Sequence, residues 1–220
     1  MKHGISALCI LLCSSLNTHA QTDSSLLLNE EFNRNRLGWI EEFTDAHFTG
    51  IKDGFLYIIS KDTSKYQTSN SPNNVSFLWD LPSDFEISAP FYRLKDNNSA
   101  HFGITLHSAT ISYRFAYSDS CMAEVSEYNY STEEETYLFS KKFGKRRILD
   151  TESAELIIRI SGRNFSFLIN NQLIGEGKMK ARSWGDIRLF VTSGSAVKID
   201  YLRIKKLEPK TPEPKAEKTF

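Results

Sequence analysis

The sequence predicts an all-β protein. Its strongest support is residues 154–175, where apolar and polar residues alternate in two short runs, 155–161 and 165–170. Alternation with a period of two, carried by β-branched and aromatic residues, is typical of half-buried antiparallel strands. Turn-forming residues follow each run, because Gly162 and the pair Asn170 and Asn171 tolerate positive φ. No long stretch shows helical periodicity, so we expect strands throughout.

Length and composition set the size of the protein and exclude some partners. The chain has 220 residues, of which 40% are hydrophobic and 12% aromatic, enough for one packed domain. Its 27 basic and 27 acidic residues balance to a formal net charge of zero. A nucleic-acid binder shows a basic excess, and an anionic membrane surface attracts one, so we expect neither partner.

The first 20 residues are predicted to be a secretory signal peptide. Lys2 and His3 precede an apolar stretch, 5–16, which is too short to span a bilayer. Ala20 lies where a signal peptidase would cleave, so we expect a secreted or periplasmic protein with no membrane span in the mature chain. An N-terminal membrane anchor and a lipoprotein are the alternatives that the sequence leaves open.

One domain and a short tail follow the predicted signal peptide. Residues 21–207 are predicted to form a single domain, and residues 208–220, rich in Pro, Lys and Glu, a disordered tail. Cys9 and Cys13 leave with the signal peptide, so Cys121 remains alone and no intramolecular disulfide can form. Nothing around Cys121 is typical of a cysteine protease, which favours a buried bystander.

The strands are predicted from the same alternation, taken along the chain. We expect them at 26–32, 48–51, 55–60, 75–80, 85–92, 101–107, 111–117, 122–130, 136–139, 155–161, 165–170, 172–174, 187–191 and 197–207. Asp53 and Gly54 predict a tight turn, and the polar residues 61–74 a long surface loop. Pro90 marks a sheet edge or a bulge, because it cannot donate to a ladder. A slip in the alternation near Tyr201 suggests a bulge in the last strand.

Six short motifs occur in order along this domain. They are Glu30-Glu31-Phe32 with Trp39, Asp53-Gly54-Phe55-Leu56, Phe85-Glu86-Ile87, Phe102-Gly103-Ile104, Phe167-Leu168-Ile169-Asn170-Asn171 and Ile199-Asp200-Tyr201-Leu202. In this order they resemble the concanavalin A-like lectin/glucanase superfamily and its laminin-G-like modules. Similar modules are common in secreted proteins of Bacteroidetes-type bacteria.

The resemblance implies a jelly-roll sandwich of two antiparallel sheets, in which the first and last strands lie side by side. The core between the sheets would then be built from alternate residues of the predicted strands. These are Phe85, Ile87, Phe102, Ile104, Phe115, Ile158, Phe165, Phe167, Ile187 and Leu189.

The resemblance also implies a ligand site on the concave face of one sheet, where relatives bind or cut glycans. The expected ligand contacts are His101, Thr105, His107, Arg114, Tyr92 and Trp184, with Trp39 and Trp79 as further aromatic candidates. The two histidines of this set lie about 20 Å apart along one strand, so they cannot share a metal ion. A solvated sheet face, with the aromatic residues in the core, is the alternative.

A structural calcium ion is a separate expectation from the resemblance. Some jelly-roll carbohydrate-binding modules pair an acidic residue of the first strand with one of the last. In this chain those residues would be Glu30 or Glu31 and Asp200, although calcium requires six to eight oxygen ligands. No other cofactor is expected.

We predict a non-catalytic module that binds a glycan or another cell-envelope partner. A glycoside hydrolase, or an enzyme similar to keto-sugar hydrolases, is the first alternative, and a structural or protein-interaction module is the second. Laminarinase-type catalysis requires carboxylates in the order Glu-x-Asp-x-(x)-Glu, whereas the nearest pair here is Asp84 and Glu86. The acidic run 133–135, with Glu124 and Glu127, is a candidate catalytic or metal cluster, but a charge run in a loop is usually solvated, which is what we expect here.

Overall fold

A computed structural model describes most of the predicted domain. It covers residues 25–61, 67–70, 81–95, 101–118, 120–143, 153–181, 183–192 and 194–208, with the backbone alone for 67–70 and for Lys95. The predicted signal peptide, the predicted strand 75–80 with Trp79, and the tail beyond Glu208 lie outside the described residues. Within the described ranges we find no helix long and apolar enough to cross a membrane.

The described residues form strands joined by turns and loops. In chain order the strands are β1 (Leu26–Glu30), β2 (Glu42–Phe43), β3 (His47–Lys52), β4 (Phe55–Ser60), β5 (Gln67–Asn70), β6 (Asp84–Lys95), β7 (His101–His107), β8 (Ile111–Ser118), β9 (Met122–Asn129), β10 (Glu134–Lys142), β11 (Ser153–Ser161), β12 (Asn164–Ile169), β13 (Gln172–Lys178), β14 (Asp186–Val191), β15 (Ala196–Ile199) and β16 (Leu202–Lys206). The predicted all-β class is confirmed.

These strands build two antiparallel sheets. Sheet A has the order β13-β12-β11-β6-β15-β4-β3-β2, and β16 joins it by pairing with β6 and with β1. Sheet B has the order β10-β9-β8-β7-β14-β5. In the pairing of β1 with β16, Glu30 lies opposite Leu202. The predicted neighbourhood of the first and last strands is therefore confirmed.

The predicted core between the sheets is also confirmed. All ten side chains expected there are at most 1% exposed. Phe115 of sheet B meets Phe165 and Phe167 of sheet A edge-to-face, with ring centroids 5.4 and 5.7 Å apart. Burial of one such side chain contributes about 1.5–3 kcal/mol, and an aromatic pair adds about 0.5–1.5 kcal/mol. Cys121, the predicted bystander, is 1% exposed.

Two hairpin turns have the conformation that their sequences predict. Asn170 and Asn171 have φ of 49° and 61°, and Asp53 and Gly54 have φ of 51° and 77°. Positive φ at both central residues defines the type I′ turn, whose twist matches that of the flanking strands. The register of β12 with β13, and of β3 with β4, is therefore set locally by the turns.

We expect the Asn171→Ala substitution to lower the free energy of unfolding by about 1 kcal/mol, because alanine is strained at positive φ. Asn171→Gly is the matched control, and it should be at least as stable as the wild type. Asn170 is less suitable, since its Oδ1 also accepts a 2.8 Å hydrogen bond from the N–H of Glu155. Urea unfolding measures all three proteins, and equal losses in both variants would contradict the conformational explanation.

The prediction of a loop at 61–74 is wrong for Gln67–Asn70. These residues form β5, which pairs with β14 at the edge of sheet B. The four polar residues carry no alternation of apolar side chains, so nothing in the pattern indicates a strand. β10 likewise begins at Glu134, two residues before the predicted start, so the acidic run lies partly in a strand. The expectation that Glu127 is solvated is wrong, because this side chain is 3% exposed and accepts a hydrogen bond from the buried Tyr113.

Pro90 lies inside sheet A, and the prediction that it marks an edge is wrong. On one side β6 pairs with β11; on the other it pairs with β16 up to Ser88 and with β15 from Phe91 onward. Pro90 is therefore level with the break between β15 and β16, at residues 200 and 201. A strand residue without an N–H is accommodated where its partner strand is interrupted. The slip suggested near Tyr201 is this same break.

Candidate functional site

Four of the six predicted ligand contacts lie on one surface, the outer face of sheet B. Alternate residues of β7 belong to the core, so His101, Thr105 and His107 point away from it. Arg114 of β8 also points outward and lies directly opposite Thr105. The structure therefore places the four residues on one face, with Thr105 beside Arg114 and the two histidines at opposite ends.

Small side chains line the middle of this face. Gly103 lies opposite Ala116 of β8, and Ser126 of β9 lies opposite Arg114. Ala116 and Ser126 are each 2% exposed, although their positions in the strands point away from the core. Small residues that are buried on an outer face are covered by the larger side chains around them, and we call Gly103, Ala116 and Ser126 the floor of this face.

Two arginines border this floor, and each is held by a carboxylate. Nη2 of Arg114 donates to Oε1 of Glu135 at 2.5 Å, and Nε of Arg188 donates to Oδ2 of Asp186 at 2.6 Å. Arg188 lies opposite Thr105 on β14, so Arg188, Thr105 and Arg114 form one row across three strands. Charge-assisted hydrogen bonds of this kind fix the orientation of the guanidinium planes.

A further carboxylate lies beside the floor, toward the His101 end. Oε2 of Glu124 is 3.6 Å from Nε2 of His101, and Oε1 accepts a 3.5 Å hydrogen bond from Oγ of Ser140. The side chain of Glu124 is 16% exposed. The face therefore offers an acceptor group at this end.

His107 and Tyr130 form the opposite end of the face. Nδ1 of His107 and the hydroxyl of Tyr130 are 2.5 Å apart, and the two rings stack with centroids 6.3 Å apart. Burial of the imidazole, assisted by the charge of Arg188 and opposed by that of Asp186, lowers the pKa of His107 to about 4. The ring is therefore neutral near pH 7, with one nitrogen as donor and the other as acceptor.

The shifted pKa of His107 predicts a pH-dependent stability. The unfolded imidazole binds a proton near pH 6.5 and the folded one near pH 4, so stability is lost as the pH falls through that window. Discounted for partial exposure, we expect a loss of about 1–2 kcal/mol. The His107→Asn protein should lack this part of the loss. Urea unfolding at pH 7, 5.5 and 4.5 measures the free energy of unfolding of both proteins. The same dependence on pH in the wild type and in His107→Asn would refute the prediction.

Sequence reasoning missed several members of this face: Asp186, Arg188, Glu124, Glu135 and Tyr130. Asp186 and Arg188 could have been found because they alternate with the predicted core residues of β14, and Glu124 because its two neighbours in β9 are apolar. Glu135 was assigned to a loop, and its contact with Arg114 depends on the pairing of β10 with β9. Tyr130 follows the end of β9, where strand alternation no longer predicts which way a side chain points.

Tyr92 and Trp184 do not lie on this face, so that part of the prediction is wrong. Trp184 is 3% exposed and packs edge-to-face on Tyr113, with ring centroids 5.8 Å apart. Tyr92 belongs to β6 of sheet A, where Phe55 lies 6.1 Å from it, ring to ring, and Nζ of Lys198 lies 5.5 Å from its ring. One side chain fills the core, and the other covers the opposite side of the sandwich.

Of the three residues predicted to hold calcium, one is used in contacts of its own loop and the other two line a common cavity. Glu30 is 6% exposed, and its oxygens accept hydrogen bonds from the N–H of Phe32 at 2.8 Å and from Nε1 of Trp39 at 3.4 Å. Glu31 and Asp200 instead line a cavity of about 320 Å³. The described part of the chain contains no group of three His, Cys, Asp or Glu side chains that could hold a metal ion. Structural calcium stays a prediction, with no assembled ligand set behind it.

No protein-family model matches the chain, and no curated protein matches its sequence. Solved structures do match its fold. A protein of unknown function with a galectin-like fold from Bacillus subtilis has a TM-score of 0.65 at 8% identity, covering 83% of this chain and 96% of that one. The CBM2 module of an evolved Dit protein from Lactobacillus casei BL23 phage J-1 has a TM-score of 0.54 at 11% identity, covering 84% and 97%.

Two further structures share the sandwich. One belongs to the endo-acting O-glycanases that members of the human gut microbiota express to initiate mucin breakdown; its TM-score is 0.62 at 9% identity, covering 83% of this chain and all of that one. The other is the binding domain of botulinum neurotoxin DC in complex with SialylT, with a TM-score of 0.54 at 14% identity. The match covers 84% of this chain but 48% of that toxin chain. At these identities the likeness shows a galectin-like, jelly-roll-like fold.

Proposed function

We propose that this protein is an exported, non-catalytic glycan-binding module of the concanavalin A-like type, and that sugar binds on the outer face of sheet B. The observation that carries the proposal is the row of Arg188, Thr105 and Arg114 beside the floor of small residues. Export is proposed from residues 1–20, which have the features of a signal peptide. A CBM2 module and a toxin domain in complex with SialylT share the fold, which supports the proposal by analogy.

The chemistry of the face suits a ligand rich in hydroxyl groups. A sugar hydroxyl donates one hydrogen bond and accepts others. Each arginine–carboxylate pair presents donors and acceptors side by side, in an orientation fixed before the ligand arrives. At the far end Tyr130, 43% exposed, offers a ring on which the apolar side of a sugar can pack.

A binding role rather than hydrolysis is part of the proposal. Retaining hydrolysis needs two carboxyl groups about 5–5.5 Å apart, and inverting hydrolysis about 6.5–9.5 Å. Of the carboxylates on this face, Glu135 and Asp186 are each bound by an arginine, and the middle of β9 supplies a third, Glu124. The O-glycanase relative by fold makes hydrolysis the alternative to test directly.

The test is a glycan array probed with the wild-type protein and two matched variants. Arg188→Ala removes a guanidinium whose Nε lies 2.6 Å from a carboxylate on sheet B; Arg159→Ala removes one in the same geometry on the outer face of sheet A. We expect Arg188→Ala to weaken binding of the best glycan at least about tenfold, the equivalent of 1.4 kcal/mol. Arg159→Ala should bind like the wild type.

Two controls accompany the array. The bound glycan is incubated with the protein and analysed for cleavage, and the array is repeated with EDTA to test the predicted calcium. Absence of binding to any glycan, or equal losses in the two arginine variants, would contradict the proposed site. Release of shorter sugars would contradict the non-catalytic role and favour the enzyme.

A further inference from the structure

We propose that the outer face of sheet B selects uncharged sugars and discriminates against sialylated or sulfated ones. This inference rests on the proposed glycan binding and names the class of ligand. It depends on how the charges of the face are arranged. Sequence counts alone do not reveal this arrangement, since the whole chain is formally neutral.

The arginines of the face are already engaged by the protein itself. Recognition of an acidic sugar commonly uses a guanidinium that makes two parallel hydrogen bonds to the carboxylate or sulfate. Here Arg114 holds Glu135 and Arg188 holds Asp186, each through a hydrogen bond of 2.5–2.6 Å. An acidic sugar would have to compete with a carboxylate that is attached to a neighbouring position of the same sheet.

The remaining charges do not favour an anion either. Among the described residues whose register places them on this face, three are cationic and three are carboxylates. They are Arg114, Arg188, Lys142, Asp186, Glu124 and Glu135. Glu124 lies next to the floor, opposite Ala116, and its oxygens make the long contacts at 3.5 and 3.6 Å with Ser140 and His101. A second anion entering above Ala116 would be repelled by it.

An uncharged sugar meets none of these costs. Its hydroxyl groups can bridge a guanidinium N–H and the adjacent carboxylate oxygen without changing the net charge of the site. The neutral His107 adds a donor or an acceptor that stays uncharged above about pH 4. The face is therefore complementary to a polar ligand without net charge.

The experiment compares matched pairs of oligosaccharides on one array, each pair consisting of a neutral sugar and its sialylated or sulfated derivative. The wild type should bind the neutral member at least about tenfold more tightly. Glu135→Gln releases Arg114 from its carboxylate, so it should reduce that preference about fivefold or more. Glu134→Gln, the matched control, removes an exposed carboxylate from the adjacent position, whose side chain points to the other face of β10. It should leave the preference unchanged.

The outcomes separate this inference from the proposal beneath it. Equal or tighter binding of the acidic members overturns the inference while leaving glycan binding intact. The inference is also overturned, and glycan binding left intact, if Glu135→Gln and Glu134→Gln change the preference equally while thermal melts show both variants folded. Absence of binding to every member of every pair overturns both proposals together.

Discussion

The Gly103→Ala protein is expected to lose more than about 3 kcal/mol of stability, or to fail to fold. A Cβ built on Gly103 would lie 2.0 Å from the carbonyl oxygen of Phe115, a distance that no real Cβ contact shows. The obstructing atom belongs to the backbone of β8, so no rotation of a side chain relieves the clash. β7 and β8 would have to separate, which would displace Phe115 from its contacts with Phe165 and Phe167.

Gly50→Ala is the matched control, because it adds the same methyl group in the middle of another strand. There the nearest atoms lie at 3.3–3.5 Å and are the outer ends of the Phe48 and Phe43 rings. Those rings are on the outer surface of sheet A and can shift. We therefore expect Gly50→Ala to lower the free energy of unfolding by less than about 1 kcal/mol. Thermal and urea unfolding compare the two variants. Similar stabilities would show that β7 and β8 lie farther apart than described.

We expect the Glu127→Ala substitution to lower the free energy of unfolding by about 3 kcal/mol. Glu127 is 3% exposed; it accepts hydrogen bonds from the hydroxyl of Tyr113 at 2.7 Å and from Nζ of Lys180 at 2.5 Å. The hydroxyl of Tyr113 in turn accepts one from the N–H of Lys180. Burial, followed by the hydrogen bond to Glu127, raises the pKa of Tyr113 to about 12. Alanine leaves this buried hydroxyl without its acceptor and opens a cavity beside it.

Glu127→Gln separates the hydrogen bond from the charge. The amide oxygen can still accept the hydrogen bond from the hydroxyl of Tyr113, while the charge attraction to Lys180 is removed. We therefore expect the free energy of unfolding to fall by about 1 kcal/mol. The ammonium of Lys180 contributes little by itself, because its side chain is 72% exposed. Urea unfolding measures stability, and near-ultraviolet circular dichroism reports on Trp184, which packs on Tyr113. Equal losses in both variants would show that charge, rather than the buried hydroxyl, dominates.

Much of the fold could be predicted from the sequence because its signals are local. Alternation identifies a strand and its inward side chains together, so the ten core residues can be predicted without knowledge of strand pairing. Asn170 and Asn171 likewise announce a type I′ turn, since few residue pairs tolerate positive φ at both positions. The polar strand β5 could not be predicted for the same reason, because it lacks a local signal and is held by backbone pairing with β14.

The placement of the candidate site residues on one face could be predicted in part, and the errors in placement share one cause. Alternation indicates that a side chain points away from the core, but it does not say to which sheet its strand belongs. His101, Thr105, His107 and Arg114 were grouped correctly because they lie on neighbouring strands, β7 and β8. Tyr92 has an equally good outward position on a strand of the other sheet. Trp184 lies in a loop before β14, where no strand alternation predicts whether a side chain is buried.

By itself, the sequence determined most of the strands, which side of each of them is apolar, and where the tight turns fall. These properties follow from side chains one to four positions apart, so they need no knowledge of the partner strands. Only the tertiary structure decided that Arg188 of β14 and Arg114 of β8 flank Thr105, that each arginine holds a carboxylate, and that Glu30 is used within its own loop. Strand order between distant segments depends on the packing of the whole core, and the character of an outer face depends on that order.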